Sequence, residues 1–305
     1  MKRKYDTSRF GGVNIALNTP YDENMQVSSQ RIKKVVRWYA DKGVNGLYLC
    51  GSTGEGFLLN TQERKQVTEA VMDEVGDELT VIVHVGSAST MEACELARHA
   101  EECGCHGIAA VPSVYYRLSE DSIQRHWDCI TQAADLPFFI YNIPATTGYN
   151  LSMNLFYKML ENERVAGIKN SSDSASQINV FKQAGGEGFI VFNGPDEQYL
   201  AGRMMGADGG IGGTYGCMPE LYLKLESCIQ NGEFEEAMRW QTIITGLIMK
   251  LLSYPSLYGA AKTIIRLRGC DIGEPRLPFL PVSQEDPGIQ ALCREIESYV
   301  QEAQR

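Results

Sequence analysis

The sequence predicts an α/β protein whose eight parallel strands close into a (β/α)8 TIM barrel, followed by a C-terminal helical extension. Short apolar runs typical of buried strands occur eight times, and amphipathic segments with helical spacing separate them. The runs begin roughly 20 to 35 residues apart, the length that one strand and one helix require. An open, doubly wound sheet usually has fewer strands, so the barrel is the favoured architecture.

The predicted strands are nearly all apolar, as expected for a parallel sheet covered by helices. They span residues 13–17, 46–50, 80–85, 107–111, 138–141, 166–169, 189–192 and 209–212. Between the first two strands, Ile32, Val35, Val36 and Tyr39 fall on one face of a helix.

After Pro219 the strand signal stops, and the pattern predicts helices near residues 220–230, 233–253, 256–268 and 287–304. We therefore divide the chain into a barrel, residues 1–218, and an extension, residues 219–305. No Ser/Gly-rich linker separates the two parts, so the extension is expected to pack on the barrel.

Composition excludes several classes of partner. The net charge is −10 and no run of Lys or Arg forms a patch, which argues against nucleic acid and anionic membranes. The chain has no apolar stretch of the length of a spanning helix, and its basic start leads into Asp6, not into the apolar core of a signal peptide. Nine cysteines without a CxxC pair fit reduced thiols of a cytoplasmic protein.

No metal site is expected, because the four histidines form no HExxH or His-x-His motif. His84 lies within an apolar strand and is expected to be a hydrogen-bonded strand residue.

The carboxyl ends of the strands form the active-site face of such a barrel. Lys169 ends the sixth strand, and by alternation its side chain faces opposite to that of Ile168. If Ile168 packs outward, Lys169 points into the barrel mouth, where a partly desolvated amine can attack a carbonyl. Taken alone, a lysine at a strand end that simply reaches water is the commoner situation.

Two neighbouring segments favour the catalytic interpretation of Lys169. Tyr141 ends the adjacent strand, where its phenol could relay a proton, although an ordinary strand tyrosine is an equal alternative. Ser52 and Thr53 lie in a Gly-Ser-Thr-Gly turn whose backbone N–H groups suit a carboxylate or phosphate, or which is merely a tight turn. Ser52 is not in a Gly-x-Ser-x-Gly elbow, and no GxGxxG opens a helix, so hydrolase and nucleotide-binding interpretations are weak.

Four motifs together resemble the dihydrodipicolinate synthase / N-acetylneuraminate lyase superfamily over essentially the whole chain. They are Gly-Ser-Thr-Gly-Glu at 51–55, Tyr-Asn-Ile-Pro-Ala at 141–145, Gly-Ile-Lys at 167–169 and Gly-Ala-Asp-Gly-Gly-Ile-Gly at 206–212. The resemblance implies a class I aldolase, usually a homotetramer, that acts on a 2-keto acid and pyruvate without metal or organic cofactor.

Carried over by position, the resemblance implies that Lys169 forms the Schiff base and that Tyr141 relays the proton. Ser52 and Thr53 match the pair that holds the pyruvyl carboxylate, and Ser52 also supports the relay. Tyr115 matches a tyrosine lent to the neighbouring subunit's site, although its local context departs from the usual Thr-Pro-Phe/Tyr-Tyr form.

Further positions match substrate-binding residues of the sialic acid lyase branch, which this chain resembles more than the synthase branch. They are Ser171, Gly194, Asp196, Glu197 and Gly212. The two carboxylates are good acceptors for sugar hydroxyls, unless they form a solvated acidic loop. Gly213 departs from the branch, in which a serine is often found there.

Thr146 stands where the synthase branch has an arginine, and threonine cannot form a bidentate pair with a carboxylate. The resemblance therefore implies reversible cleavage of N-acetylneuraminate to N-acetylmannosamine and pyruvate. The alternatives are another pyruvate-dependent aldolase or dehydratase, for example one for a keto-deoxy sugar acid, and a non-catalytic sensor on the same barrel.

Overall fold

The computed structural model describes residues 4–112 and 114–305 and confirms the predicted barrel. Eight parallel strands close on themselves in chain order, with the last strand paired to the first. They are β1 (Gly12–Ala16), β2 (Gly46–Leu49), β3 (Thr80–His84), β4 (Gly107–Ala110), β5 (Phe138–Asn142), β6 (Val165–Asn170), β7 (Ile190–Asn193) and β8 (Gly209–Gly212). The basic start of the chain, residues 1–3, and Ser113 beside the predicted Tyr115 segment lie outside the described residues.

Helices alternate with the strands and then continue alone. Those between strands are α1 (Ser29–Ala40), α2 (Thr61–Val75), α3 (Thr90–Glu102), α4 (Glu120–Ala133), α5 (Pro144–Thr147), α6 (Met153–Leu160), α7 (Ser176–Gly185) and α8 (Tyr199–Met204). After β8 follow α9 (Pro219–Gln230), α10 (Phe234–Leu252), α11 (Leu257–Leu267) and α12 (Pro287–Ala303). Within the described residues, no helix combines the length and the apolar character needed to cross a membrane.

Local sequence explains where several helices begin. Asn60 and Glu63 form a reciprocal capping box at the start of α2. Ser89 caps α3 by accepting from the backbone N–H of Glu92, and Asp286 caps α12, which has proline at its first position. These caps satisfy backbone donors that the helix itself leaves free.

The strands separate two apolar cores. One fills the barrel interior and includes Tyr48, Phe139, Tyr141 and Phe192. The other lies between the strands and the surrounding helices and includes Ile168. Ile168 therefore packs outward as expected, and alternation turns the next side chain, Lys169, inward.

The last four helices pack on one another and on the barrel. Helix α9 lies against β1, α10 and α12 contact α9, and α11 packs between α10 and α12. From α11 the side chain of Lys262 reaches the turn after β2. The C-terminal helices thus contribute to the surroundings of the barrel mouth.

Candidate active site

A buried lysine and a buried tyrosine meet at the carboxyl ends of two adjacent strands. Lys169 on β6 and Tyr141 on β5 are register partners, and they are only 5% and 2% exposed. Lys169 Nζ donates a hydrogen bond to the Tyr141 hydroxyl at 3.2 Å. The strand-end lysine that merely reaches water is therefore not what the structure contains.

Aromatic rings pack around this pair. Lys169 Nζ lies 4.6 Å from the centroid of the Tyr48 ring and 4.3 Å from that of Tyr141. The Tyr141 ring also packs edge-on against Tyr48 and against His84, with centroids 5.7 Å and 5.8 Å away. The phenol of Tyr141 is thereby held beside the amine by rigid neighbours.

His84 is a hydrogen-bonded residue of β3, as the sequence indicated. A carbonyl can only accept, so Nδ1 of His84 carries the proton in its 3.0 Å bond to the Cys50 carbonyl, while Nε2 accepts from the Val111 N–H. Burial, assisted by the Arg64 charge, lowers the pKa of His84 to about 3. The imidazole therefore ties the ends of β2 and β4 together without adding charge to the site.

The Gly-Ser-Thr-Gly turn follows β2 at the same end of the barrel. Ser52 and Thr53 are half-buried, whereas the glycines on both sides are buried. Both glycines are required sterically, because an added Cβ would approach the Tyr48 ring to 2.7 Å at Gly51 and the Leu17 carbonyl to 2.9 Å at Gly54. The turn thus presents two hydroxyl residues on a tightly packed base.

An acidic group follows β7, the strand paired with β6. Asp196 is buried, and its Oδ2 accepts from the backbone N–H and the hydroxyl of Thr214 at 2.6 Å and 2.5 Å. Burial raises the pKa of Asp196 to about 6, although the Thr214 hydrogen bonds and the Lys169 charge oppose the shift. Glu197 is exposed, so only one of the two predicted carboxylates is buried.

Three other predicted positions adjoin one another or Asp196. A Cβ added at Gly194 would collide with the Ser171 hydroxyl, and one added at Gly212 would collide with Tyr215 and with the Asp196 carboxylate. Both glycines therefore leave room for polar side chains of neighbouring strands. At Gly213 an added Cβ would lie 2.8 Å from the Thr53 hydroxyl, so the residue that departs from the lyase pattern adjoins the Ser52–Thr53 turn.

Tyr115 is the one predicted catalytic residue on the outer surface. It is 92% exposed, its ring contacts Tyr116, and its backbone φ is 73°. It lines a surface groove of about 460 Å³ together with Thr146 and Tyr149 from the segment after β5.

Sequence reasoning missed two tyrosines. Tyr48 could have been found by alternation, since it precedes Ser52 by four positions and lies on the inward face of β2. Tyr258 on α11 had no such signal, because it is far away in the chain. Burial, followed by the electrostatic influence of Tyr141, Glu55 and Asp196, raises the pKa of Tyr258 to about 12, so its phenol is within electrostatic range of these three groups.

The carboxyl ends of the barrel strands bring a buried amine beside a phenol, the arrangement expected of an enzyme that works through an imine. Fold and site therefore define an aldolase-type barrel enzyme. The model of the Dihydrodipicolinate synthetase family matches residues 9–293, and the chain belongs to this family. In the described residues no group of His, Cys, Asp or Glu is arranged to hold a metal ion.

Relatives within the family include N-acetylneuraminate lyases. The chain is 42% identical over 296 residues to N-acetylneuraminate lyase of Mediterraneibacter gnavus, covering 95% of this chain and 94% of the relative. It is 36% identical over 289 residues to N-acetylneuraminate lyase 2 of Escherichia coli O6:H1, covering 94% of each chain.

Solved structures have the same fold over the whole chain. A catalytic-lysine mutant of the Ruminococcus gnavus sialic acid aldolase superposes with a TM-score of 0.95 at 39% identity, covering 99% of both chains. Dihydrodipicolinate synthase DapA-2 of Bacillus anthracis gives a TM-score of 0.87 at 25% identity, covering 96% of this chain and 98% of that one.

Proposed function

We propose that this protein is an N-acetylneuraminate lyase, a class I aldolase that reversibly cleaves the open-chain sugar acid into N-acetylmannosamine and pyruvate. The observation that carries the proposal is the buried Lys169 amine, hydrogen-bonded to Tyr141 at 3.2 Å. The likeness to lyases at 42% and 36% identity supports the choice of substrate.

In the proposed mechanism the lone pair of the Lys169 amine attacks C2 of the keto acid, and water leaves to form an iminium. The C4 hydroxyl then loses its proton to Tyr141, supported by Ser52, and C4 becomes the aldehyde carbon of N-acetylmannosamine. The electron pair of the C3–C4 bond moves into the iminium, which becomes an enamine. Protonation at C3 and hydrolysis release pyruvate and restore the amine.

Ser52 and Thr53 would hold the pyruvyl carboxylate. They are half-buried in a turn after β2, and backbone N–H groups and hydroxyls are suitable donors for an anion.

Ser171, Gly194, Asp196, Glu197 and Gly212 would surround the polyol part of the substrate. The support is proximity: Gly194 adjoins Ser171, and Gly212 adjoins Asp196. Above its pKa, Asp196 can accept hydrogen bonds from sugar hydroxyls.

A second candidate is another reaction of pyruvate-derived imines, such as aldol cleavage of a keto-deoxy sugar acid. Lys169, Tyr141, Ser52 and Thr53 serve either reaction equally well. Dihydrodipicolinate synthesis is disfavoured, because Thr146 replaces the arginine expected for the second substrate's carboxylate. A sensor without turnover would leave the Lys169–Tyr141 pair unused.

We also propose a homotetramer in the cytoplasm in which Tyr115 completes the neighbouring subunit's site. Two separate apolar surfaces support this assembly. One contains the exposed Tyr115 and Tyr116, and the other is a stripe along α10 formed by Phe234, Met238, Met249 and Leu252. Two different self-complementary faces generate a closed tetramer. The nine free thiols fit a reducing compartment.

For the chain itself, we propose that residues 219–305 act as an extension packed on the barrel of residues 1–218. Its contribution to the site would be Tyr258, whose pKa is influenced electrostatically by Tyr141 and Asp196.

The test is a coupled pyruvate-release assay on N-acetylneuraminate and on keto-deoxygluconate. We expect faster release from N-acetylneuraminate, and release from keto-deoxygluconate alone would contradict the substrate. Borohydride added with pyruvate should label the unmodified protein and the surface variant Lys250→Ala, but not Lys169→Ala. A labelled Lys169→Ala protein would contradict the mechanism.

A further inference from the structure

A fully buried ion pair joins the C-terminal helices to the turn that carries Ser52 and Thr53. Lys262 on α11 and Glu55 at the end of the turn have side chains with no solvent exposure, and Nζ lies 2.7 Å from Oε1. Neither residue belongs to the amine–phenol pair.

Lys262 also donates hydrogen bonds to two backbone carbonyls. Its Nζ donates to the Thr19 carbonyl at 2.8 Å and to the Glu274 carbonyl at 3.1 Å. Thr19 in turn donates from its hydroxyl to the Gly54 carbonyl at 2.6 Å. Lys262 therefore holds the turn both through Glu55 and through the Thr19 segment.

The turn needs such support because its ends have an unusual backbone conformation. Cys50 and Glu55, which bracket the turn, both have φ of 56°, a region that residues with a side chain rarely adopt. Between them, the Thr53 carbonyl accepts from Asn18 at 3.2 Å. The direction of the Ser52 and Thr53 N–H groups depends on this shape being kept.

Fold stability alone gives no reason for an ion pair at this position. Removing two charges from water is costly, and well-packed apolar side chains of similar volume often serve stability as well or better. Burial lowers the pKa of Lys262 to about 8, and the Glu55 charge opposes the shift. An apolar pair could provide neither the charge that attracts Glu55 nor the hydrogen bonds to the Thr19 and Glu274 carbonyls.

We propose that Lys262, acting through Glu55, is a positioning residue that holds the Ser52–Thr53 turn in the orientation that receives the substrate's carboxylate. The inference rests on the proposed Schiff-base function, since it presupposes a ketone bound at Lys169. It extends that function to a residue of the C-terminal helices, more than 200 positions after the turn that it holds.

The test compares two ketones that differ in the carboxylate. Borohydride trapping rates are measured with pyruvate and with acetone in the unmodified protein, in Lys262→Met, and in the double variant Lys262→Met/Glu55→Gln. The matched control is Lys250→Met, which removes a lysine from a surface ion pair with Glu295 on α12.

We expect both Lys262 variants to lose at least about tenfold in the pyruvate-to-acetone rate ratio, because misplaced donors affect only the ketone with a carboxylate. Lys262→Met leaves the Glu55 charge buried and unpaired, and the double variant removes this charge. The double variant should therefore be more stable than Lys262→Met, while its pyruvate-to-acetone rate ratio stays low. Lys250→Met should keep the ratio of the unmodified protein.

The inference would be overturned if the trapping rates with pyruvate and acetone fell equally, or if the double variant regained the pyruvate-to-acetone rate ratio. Either result would mean that the ion pair only stabilises the fold. An unchanged ratio in both variants would do the same while leaving the labelled Lys169, and hence the proposed function, intact. No labelling of the unmodified protein would overturn the proposed function, and this inference with it.

Discussion

At the scale of single residues, the proposed nucleophile is an amine whose surroundings restrict its motion. Lys169 Nζ is bonded to the Tyr141 hydroxyl and lies over two phenol rings, and the Tyr141 ring is packed against Tyr48 and His84. An amine and a proton carrier held at hydrogen-bond distance need little rearrangement before reaction.

Tyr141→Phe keeps the packed ring and removes only the hydroxyl. We expect kcat for pyruvate release to fall by about 10²- to 10³-fold, the usual contribution of a positioned proton donor. Borohydride labelling with pyruvate should persist, because the amine remains. Tyr157→Phe, at an exposed position on α6, is the control. Unchanged turnover in Tyr141→Phe would remove the relay from the mechanism.

Asp196 predicts a pH dependence of substrate binding. Its pKa is raised to about 6, so the carboxylate that we propose as an acceptor for sugar hydroxyls is lost as the pH falls through 6. We expect KM for the sugar acid to rise below pH 6, while the apparent affinity for pyruvate in trapping changes less. In Asp196→Asn this rise in KM should disappear, and its persistence would assign the titration to another group.

The same carboxyl affects stability with the opposite trend. The folded protein binds this proton more tightly than the unfolded chain, whose group titrates near 3.8. Protonated Asp196 therefore stabilises the folded protein fully below pH 3.8. The free energy of unfolding decreases as the pH rises to 6, by at most about 3 kcal/mol. Urea unfolding of Asp196→Asn should therefore show an advantage over the unmodified protein that grows across this window.

At the scale of elements, Gly212 at the end of β8 decides how closely the side chains that follow β7 and β8 can approach. Gly212 adjoins both Tyr215 and Asp196, and a side chain at this position would collide with both. Strand glycines generally mark such close approaches.

Gly212→Ala should therefore destabilise the protein by about 1–3 kcal/mol through overpacking and should raise KM for the sugar acid by displacing Asp196. Gly246→Ala is the matched control, because Gly246 is exposed on α10 and an added Cβ there meets nothing within 4 Å. It should stabilise the protein by about 0.5–1 kcal/mol. Thermal unfolding and kinetics of both variants check these expectations.

At the scale of the whole molecule, the exposed apolar surfaces determine what the barrel can assemble into. Tyr115 lies on one of them, on the rim of a groove that also contains Thr146 and Tyr149. A tyrosine that is 92% exposed gains a defined environment only when another molecule covers it.

Mixed assemblies test whether Tyr115 acts in a neighbour's site. Lys169→Ala and Tyr115→Ala subunits should each be nearly inactive, but hybrids combine an intact lysine with a tyrosine from the other subunit. Random co-expression of the two variants in equal amounts should restore about a quarter of the activity of the unmodified protein. Half of the subunit pairs are then hybrid, and one of the two sites in each hybrid pair has both residues. Inactive single variants whose mixture is no more active would place Tyr115 in its own subunit's site, and a fully active Tyr115→Ala protein would place it outside the reaction.

Much of this architecture could be predicted from the sequence because it depends on local patterns. Apolar runs and helical spacing predicted all eight strands, and alternation along β6 predicted that Lys169 faces opposite to Ile168. Since β5 and β6 are consecutive, the meeting of Tyr141 and Lys169 also followed from chain order. Strand ends shifted by a residue or two, because pairing such as Asn142 with Asn170 extends them.

Only the tertiary structure decided the contacts between residues far apart in the chain. Nothing near Glu55 in the sequence indicates that Lys262 pairs with it, or that Tyr258 is within electrostatic range of it. Nor does the Asp-Glu pair reveal that Asp196 is buried against Thr214 while Glu197 faces solvent. Periodicity reports which face of an element is buried, but the partner on that face is set by how the barrel closes and by where the C-terminal helices pack.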